Sequence, residues 1–563
     1  MLIFLILLNL IFLSNGSLLR ESCFSPIYCH GKILHMVQTA GILNDSKTFV
    51  DLSMKYPINE TFDNFEEFLL KTPHPNPMDI QRFVYENFVS TGEIEEYWPT
   101  DYRSDPKLIQ EIEDPLVKKF TENLVELWPT LARKVTRKVL EQPESYSIIP
   151  VSNGFIIPGG RFKEIYYWDT YWIVHGLLIC DMKETARGMV ENLLSLVERY
   201  GFVPNGNRVY YLNRSQPPLL TLMFALYVRY TLNYAFMEEH IHILEQEIDF
   251  WLTKRIHELE KNGRVYKLLS YGSQSDTPRP ESYIEDIETC SYYSKAEEIA
   301  ECYLDLKAGA ESGWDFSSRW IFDKKGSPNA NLSHIQTRRN LPADLNSFMY
   351  MNFMELYKMF LKLNNQKKAQ KYLDLANQWK ESIETFLWNE EDGIWYDYDV
   401  LLKKQRRWFY ASNVTPLWAK AMDIQLLSER ADRVVAYLRN NGIIDCLGGI
   451  PSSFLSSGLQ WDLPNAWAPT QGILIFGLEN SGSVEAKNLA NVLAVNWVRS
   501  NRKAFQENRV MFEKYNSQYS GQYGGGGEYV IQSGFGWSNG VMLELINHYY
   551  RNHTFVHKKK KSP

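Results

Sequence analysis

Apolar residues recur at helical spacing in LVKKFTENLVELW (116–128), MELYKMFLKL (354–363) and AQKYLDLANQWKESIETFLW (369–388), each with a polar opposite face. Two other stretches, IYYWDTYWIVHGLLIC (165–180) and LLTLMFALYVRYTL (219–232), are apolar almost all round. A helix without a polar face must be buried on every side, so the two populations predict an inner layer of helices covered by an outer one. Strand-like alternation is scarce. Gly- and Pro-rich segments punctuate the helices: PVSNGFIIPGG, FVPNGNR, GGIPSSF and GGGGEY. These loops carry nearly every unusual residue.

No linker or composition break divides residues 60 to 550 of the 563, so one large domain is expected there. The divisions read from the chain are a signal peptide over 1–17, an N-terminal extension over 18–60, a catalytic domain over 61–555 and a basic tail over 556–563. The opening MLIFLILLNLIFLSNGS is too short to span a bilayer comfortably and ends in small polar residues, which reads as a secretory leader, although the usual early Lys or Arg is missing. The HKKKKSP terminus is no lipid-anchor signal. Secretion, or residence in the secretory lumen, is therefore expected, with no stable membrane partner. Sequons at Asn44, Asn59, Asn213, Asn331, Asn413 and Asn552 fit that route. Of the six cysteines, Cys23 and Cys29 are close enough in sequence to bridge locally, and the rest show no metal-ligand spacing.

Net charge of -7 argues against nucleic acid and anionic membranes as partners. The compositional outlier is aromatic: 34 Tyr, 29 Phe and 16 Trp, side chains that offer a flat apolar face with a polar edge. In PGGRFKEIYYWDTYW (158–172) such rings crowd around Arg161, Lys163, Glu164 and Asp169. Burying charges among rings is costly without a polar partner, and a sugar, with hydroxyls and C–H faces, supplies one.

Further candidates share that character. In AESGWDFSSRW, Asp315 lies between Trp314 and Phe316, walls that raise a carboxyl pKa as a general acid requires. Glu311 and Arg319 stand four residues to either side, so a helical turn would gather all three; a capping Asp beside a solvated Arg is the plainer alternative. MFEKYNSQYSGQYGGGGEYVIQSGFGW holds Glu513 and, after four glycines, Glu528. Such a run costs backbone entropy, which fits a flap over a pocket better than a solvated linker among so many rings. PNGNRVYYLNRSQPP offers Asn205, Arg208, Arg214 and Gln216; RPESY offers Arg279 and Glu281; QWDLPNAWAPTQG repeats a Trp-Asp pair. Any one Arg or Asp among them has an alternative role in a buried ion pair between helices.

Taken together, PGGRFKEIYYWDTYW and QWDLPNAWAP resemble the two signature stretches of the trehalases of glycoside hydrolase family 37. PNGNR, RSQPP, RPES, ESGWDFSSRW and GGGGEY recur in that family in this order. The resemblance runs from CFSPIYCHG to FGWSNGV. It implies an all-α (α/α)6 toroid with a loop-built active site at one end, and hydrolysis of α,α-trehalose to two glucoses with inversion. It implies Asp315 as general acid and Glu513 as general base. Arg161, Trp168, Asp169, Asn205, Arg214, Gln216, Arg279, Glu281, Gly313 and Glu528 are implied to bind substrate, and Asn213, inside that set, to escape glycosylation. The residue after EKY departs from the family in being Asn516 rather than acidic. Three arginines beside Asp315 would drain its proton, so Asp169, Glu281 and Glu528 are expected to neutralise them. No metal or cofactor is expected. The alternatives are a hydrolase of the same fold acting on another small α-glucoside, and a sugar-binding protein without catalysis.

Overall fold

The computed structural model describes residue 23 and residues 25–551. The leader (1–17), the terminal tail (556–563) and Asn552 lie outside the described residues.

Twelve helices build the toroid, alternating along the chain between an outer and an inner position. The outer ones are α1 (Pro115–Leu131), α3 (Lys183–Tyr200), α5 (Tyr234–Lys254), α7 (Gln366–Phe386), α9 (Leu427–Asn440) and α11 (Val484–Asn508). The inner ones are α2 (Asp169–Ile179), α4 (Leu220–Thr231), α6 (Ala343–Lys362), α8 (Thr415–Ala419), α10 (Ala468–Glu479) and α12 (Gly536–Tyr549). Each inner helix touches the next, and α12 returns to α2, so the inner ring closes. All residues of α2 except His175 are buried, and all of α10 except Glu479. Outer α9 instead buries a stripe, Leu427, Arg430, Ala431, Val434, Val435 and Leu438, at the spacing of one helix face. Closure of the ring depends on small residues. A Cβ at Gly540 of α12 would stand 2.1 Å from the Trp172 carbonyl oxygen of α2. The fold is thus the double ring that the two helix populations required.

Strands are short: the longest pair among the described residues is the hairpin Ile256–Lys261/Arg264–Leu269. A second, smaller core runs from Ile27 to Phe88 and meets the toroid at Tyr166, Tyr210 and Tyr211. Behind that contact a buried ionic network joins the two parts. Arg208 pairs with Glu93 at 2.7 Å and Glu164 at 3.2 Å, and Lys47 reaches Glu164 at 2.8 Å. Arg208 and Glu164, two of the charges noted in the sequence, therefore serve this seam rather than the site.

Cys23 pairs with Cys29, and Cys290 with Cys302. Asn213 and Asn413 are buried, while Asn44, Asn59 and Asn331 are exposed. Among the described residues no helix is long and apolar enough to cross a membrane.

One buried acid inside the double layer sets a pH dependence of stability. Glu247 of α5 accepts a hydrogen bond from the Tyr167 hydroxyl, and its Oε2 has no partner among the described residues. Burial pushes its pKa up to about 8. The folded protein thus keeps a proton that the unfolded chain releases above about pH 4.5, and stability falls as pH rises from there towards 8. Glu247→Gln removes that loss. Its melting temperature is expected to exceed that of the parent by several degrees at pH 8 and to converge with it near pH 5; a constant gap would contradict this.

Candidate active site

The segments that lead into four inner helices come together at one end of the ring. Trp168 and Asp169 open α2, Gln216 precedes α4, Trp467 precedes α10, and Phe535 and Trp537 open α12. With loops from the rest of the chain they line one pocket. All twelve residues singled out in the sequence lie on its wall: Asp315 and Glu513 together with Arg161, Trp168, Asp169, Asn205, Arg214, Gln216, Arg279, Glu281, Gly313 and Glu528.

Tryptophans form the floor. Trp461 stacks on Trp467 at 4.0 Å and on Trp314 at 4.7 Å, and Trp168 and Trp537 meet this stack with their edges or at a tilt. Trp168 lies so close to the chain before Asp315 that a Cβ at Gly313 would come within 2.7 Å of its ring, and Gly313 has φ +72°. Only glycine suits that position.

Helix Ala296–Glu311 ends before Asp315, so the helical turn proposed to unite Glu311, Asp315 and Arg319 does not exist. Glu311 pairs with Arg255 at 2.8 Å, and Arg319 turns to Asp344 at 2.8 Å and Asp397 at 2.7 Å. What holds the Asp315 loop is the second Trp-Asp pair. Asp462 accepts hydrogen bonds from Ser317 Oγ (2.9 Å) and the Ser318 amide (2.7 Å), the Trp461 amide donates to the Phe316 carbonyl (3.0 Å), and Gln460 Nε2 donates to the Asp315 carbonyl. These bonds leave the Asp315 carboxyl facing the cavity.

Electrostatics separates the two candidate carboxyls. Burial among rings, reinforced by the Glu528 carboxylate and opposed by Arg279 and Arg214, pushes Asp315 up to about 7. Burial also raises Glu513, but Lys514, the Tyr529 hydroxyl (2.7 Å to Oε1), a hydrogen bond from the Gln532 backbone and Arg161 work against the rise. Its Oε2 has no partner among the described residues. Asp169 lies near both, and burial, reinforced by the Glu513 and Asp315 carboxylates, raises its pKa well above the usual carboxyl value.

Each of the three arginines is neutralised, though not by the set expected. Arg214 donates to Glu281 at 2.6 Å and Arg279 to Glu528 at 3.1 Å. The principal partner of Arg279 is Asp286, at 2.6 Å, and Arg161 pairs with Asp45 at 2.7 Å rather than with Asp169. Asp169 has no arginine partner among the described residues, and burial without a cation raises its pKa. Asp45 and Asp286 gave no signal in the sequence, since an isolated acidic residue in NDS or IED resembles any solvated one. Lys514 and Gln460, bonded to each other at 3.2 Å, and the wall residues Tyr211 and Tyr529 join the site as well, all four from inside the loop stretches that carry the other candidates.

The glycine run is laid along the loop that carries Gln460. A Cβ would meet Asn465 Oδ1 at 2.3 Å from Gly524, the Gly458 carbonyl at 2.6 Å from Gly526 and Gln460 Oε1 at 2.7 Å from Gly527, whereas Gly525 faces open space. Gly527→Ala, at φ +98°, is expected to lower kcat/KM about tenfold through a strain of ~1–2 kcal/mol, and Gly525→Ala to leave it unchanged. Equal effects in steady-state kinetics would refute the packing described.

A pocket at one end of a closed double ring, lined by indole rings, arginines paired with carboxylates and two carboxyls in unlike surroundings, fits a glycoside hydrolase of the (α/α)6 class. A family model described as Trehalase matches residues 41–550. The chain is 50% identical to a trehalase of Tenebrio molitor over 532 residues, 94% of this chain and 96% of that protein. It is 43% identical to a trehalase of Homo sapiens, with 97% and 93% covered. Among solved structures it is similar in fold to the neutral trehalase of Saccharomyces cerevisiae, with a TM-score of 0.55 at 24% identity, over 71% of this chain and 74% of that one. The chain belongs to the trehalase family, and its activity is that of an α,α-trehalase, a glycosidase.

Proposed function

We propose that the chain is a secreted hydrolase that cleaves α,α-trehalose into two glucoses with inversion, Asp315 acting as general acid and Glu513 as general base. The observation that carries this reading is the pairing of unlike carboxyls on one enclosed wall. Asp315 has a pKa near 7, so it still holds a proton at neutral pH, while Glu513 has cations and donors on its charged form.

Asp315 gives its proton to the bridging oxygen as the glycosidic bond breaks, so the leaving glucose departs as a neutral alcohol. Glu513 takes a proton from a water that attacks the anomeric carbon from the opposite face. Tyr529 holds Oε1 and thereby fixes the orientation of the carboxylate, which directs Oε2 to that water. Inverting enzymes keep the two carboxyls about 6.5–9.5 Å apart to admit it. As the oxocarbenium-like centre forms, the enclosed site strengthens every interaction with it because water is excluded.

Arg161, Arg214 and Arg279 bind sugar hydroxyls as rigid donors, each held by a carboxylate that also cancels its charge, so that Asp315 is not stripped of its proton. Asp169, with Asn205, Gln216, Glu281 and Glu528, completes the hydrogen-bonding set, and Trp168, packed over Gly313, offers a sugar face. The paired cysteines and the exposed sequons at Asn44, Asn59 and Asn331 support a secretory route.

Incubation with a panel of disaccharides tests the substrate. Glucose release from α,α-trehalose far exceeding that from maltose, isomaltose and sucrose is expected; comparable release from another α-glucoside would favour the same-fold alternative.

A further inference from the structure

The three arginines of the cavity are not anchored alike. The side chains of Arg214 and Arg279 are 3% and 2% exposed, whereas that of Arg161 is 20% exposed. Its backbone is secure. The Arg161 amide donates to Gln532 Oε1 at 2.8 Å, and at Gly159 and Gly160 a Cβ would strike the Gly534 carbonyl at 2.3 Å and Gln532 Oε1 at 2.1 Å. The head group is another matter, because Arg161 borders two spaces. On one side is the cavity just described, and on the other a groove lined by Asp45, Lys47, Gly160 and Lys163, between the toroid and the smaller core. A long flexible side chain with space on both sides loses its orientation unless something grips it.

Asp45 supplies the grip. Its carboxylate accepts from Arg161 Nε at 2.9 Å and from Nη2 at 2.7 Å, a bidentate pair, while the Tyr529 ring lies 4.6 Å beneath the guanidinium. Because Nε and Nη2 are engaged, Nη1 is the nitrogen turned away from that carboxylate. Asp45 does not belong to the toroid. It sits in the loop after helix Lys32–Thr39, and is fixed there by the Lys47 amide, which donates to its Oδ1 at 2.9 Å. The helix and loop also grip the segment beside a second arginine, Arg279. Gln38 Nε2 donates to the Ser46 carbonyl at 2.8 Å and to that of Pro280, between Arg279 and Glu281, at 3.0 Å, and Ser46 Oγ donates to Glu285 at 3.0 Å.

We propose that Asp45 is a positioning residue of the reaction: from the N-terminal module outside the toroid it clamps Arg161 and aims the free nitrogen at a substrate hydroxyl, which makes that module part of the active site. The inference rests on the reading of Arg161 as a substrate-binding residue.

Steady-state kinetics of the full chain with trehalose separates the two claims. Asp45→Asn is expected to raise KM about tenfold, with kcat within about threefold and an unchanged melting temperature, since a misplaced binding group costs affinity more than chemistry. Arg161→Gln is expected to raise KM at least as much, and the double variant to match Arg161→Gln alone, because the clamp has nothing left to hold. Glu66→Gln, on an exposed face of the same module, serves as the parental control. A normal KM in Asp45→Asn beside a raised one in Arg161→Gln would overturn the positioning role and spare the binding role. A normal KM in Arg161→Gln would overturn the binding role. Multiplying losses in the double variant would show that Asp45 acts by some route other than Arg161, and would also end the proposal.

Discussion

Asp315→Ala is expected to lose about 10²–10⁴-fold in kcat on trehalose, the ordinary worth of a general acid, while keeping the melting temperature of the parent within a few degrees. Folding is spared because the carboxyl bonds to no other residue among the described ones: the loop is held through the Asp315 carbonyl, Ser317, Ser318 and Phe316, all of which remain. The loss should depend on the leaving group. Glucose departs as a poor alkoxide unless protonated, whereas fluoride needs no proton, so α-glucosyl fluoride should be hydrolysed by the variant with a much smaller deficit. The pH dependence has a defined sign. With the Asp315 pKa near 7, the active protonated form is lost as pH rises through that value, which gives kcat/KM of the parent an alkaline limb there. That limb should be absent for the variant acting on the fluoride. Equal losses on both substrates, or an alkaline limb that persists, would remove Asp315 from the role of acid.

Glu513→Ala is expected to cost a similar factor of about 10²–10⁴ on trehalose and, unlike Asp315→Ala, the same factor on α-glucosyl fluoride, because water activation is needed whatever leaves. The truncation removes a carboxylate that is 2% exposed and opens space on the wall that Tyr529 and Trp537 close. A small anion such as azide can enter there and attack directly. The rescue product should be the β-glucosyl azide, inverted relative to the substrate. Normal turnover without any additive, or an α-configured azide, would contradict the assignment.

The contrast between the two carboxyls was only partly legible beforehand. The aromatic neighbours of Asp315 are adjacent in sequence, so its dry surroundings could be read directly from GWDF. The layered fold was legible for a similar reason: the buried helices α2 and α4 announce themselves by having no polar face. Partners remote in sequence were another matter. Asp45 and Arg161 are separated by more than a hundred residues, and nothing about a lone Asp between Asn44 and Ser46 marks it as the clamp of an arginine. The spacing of Glu311, Asp315 and Arg319 was misleading because four-residue spacing implies proximity only within a helix, and Gly313, at φ +72°, ends it. Asp169 is expected from the sequence to neutralise an arginine, but α2 buries it away from Arg161, which pairs with Asp45. Resemblance implied the site residues; the structure supplied their partners.

The configuration of the products is the most direct measure of a proton donor and a water-activating base working from opposite faces. Proton NMR of trehalose hydrolysis by the parent enzyme, recorded before mutarotation and in water enriched in oxygen-18, is expected to show α-glucose and β-glucose appearing in equal amounts, the label only in the β anomer. Appearance of α-glucose alone, with the label in it, would mean retention through an enzyme-bound intermediate and would contradict the assignment of Glu513 as a base.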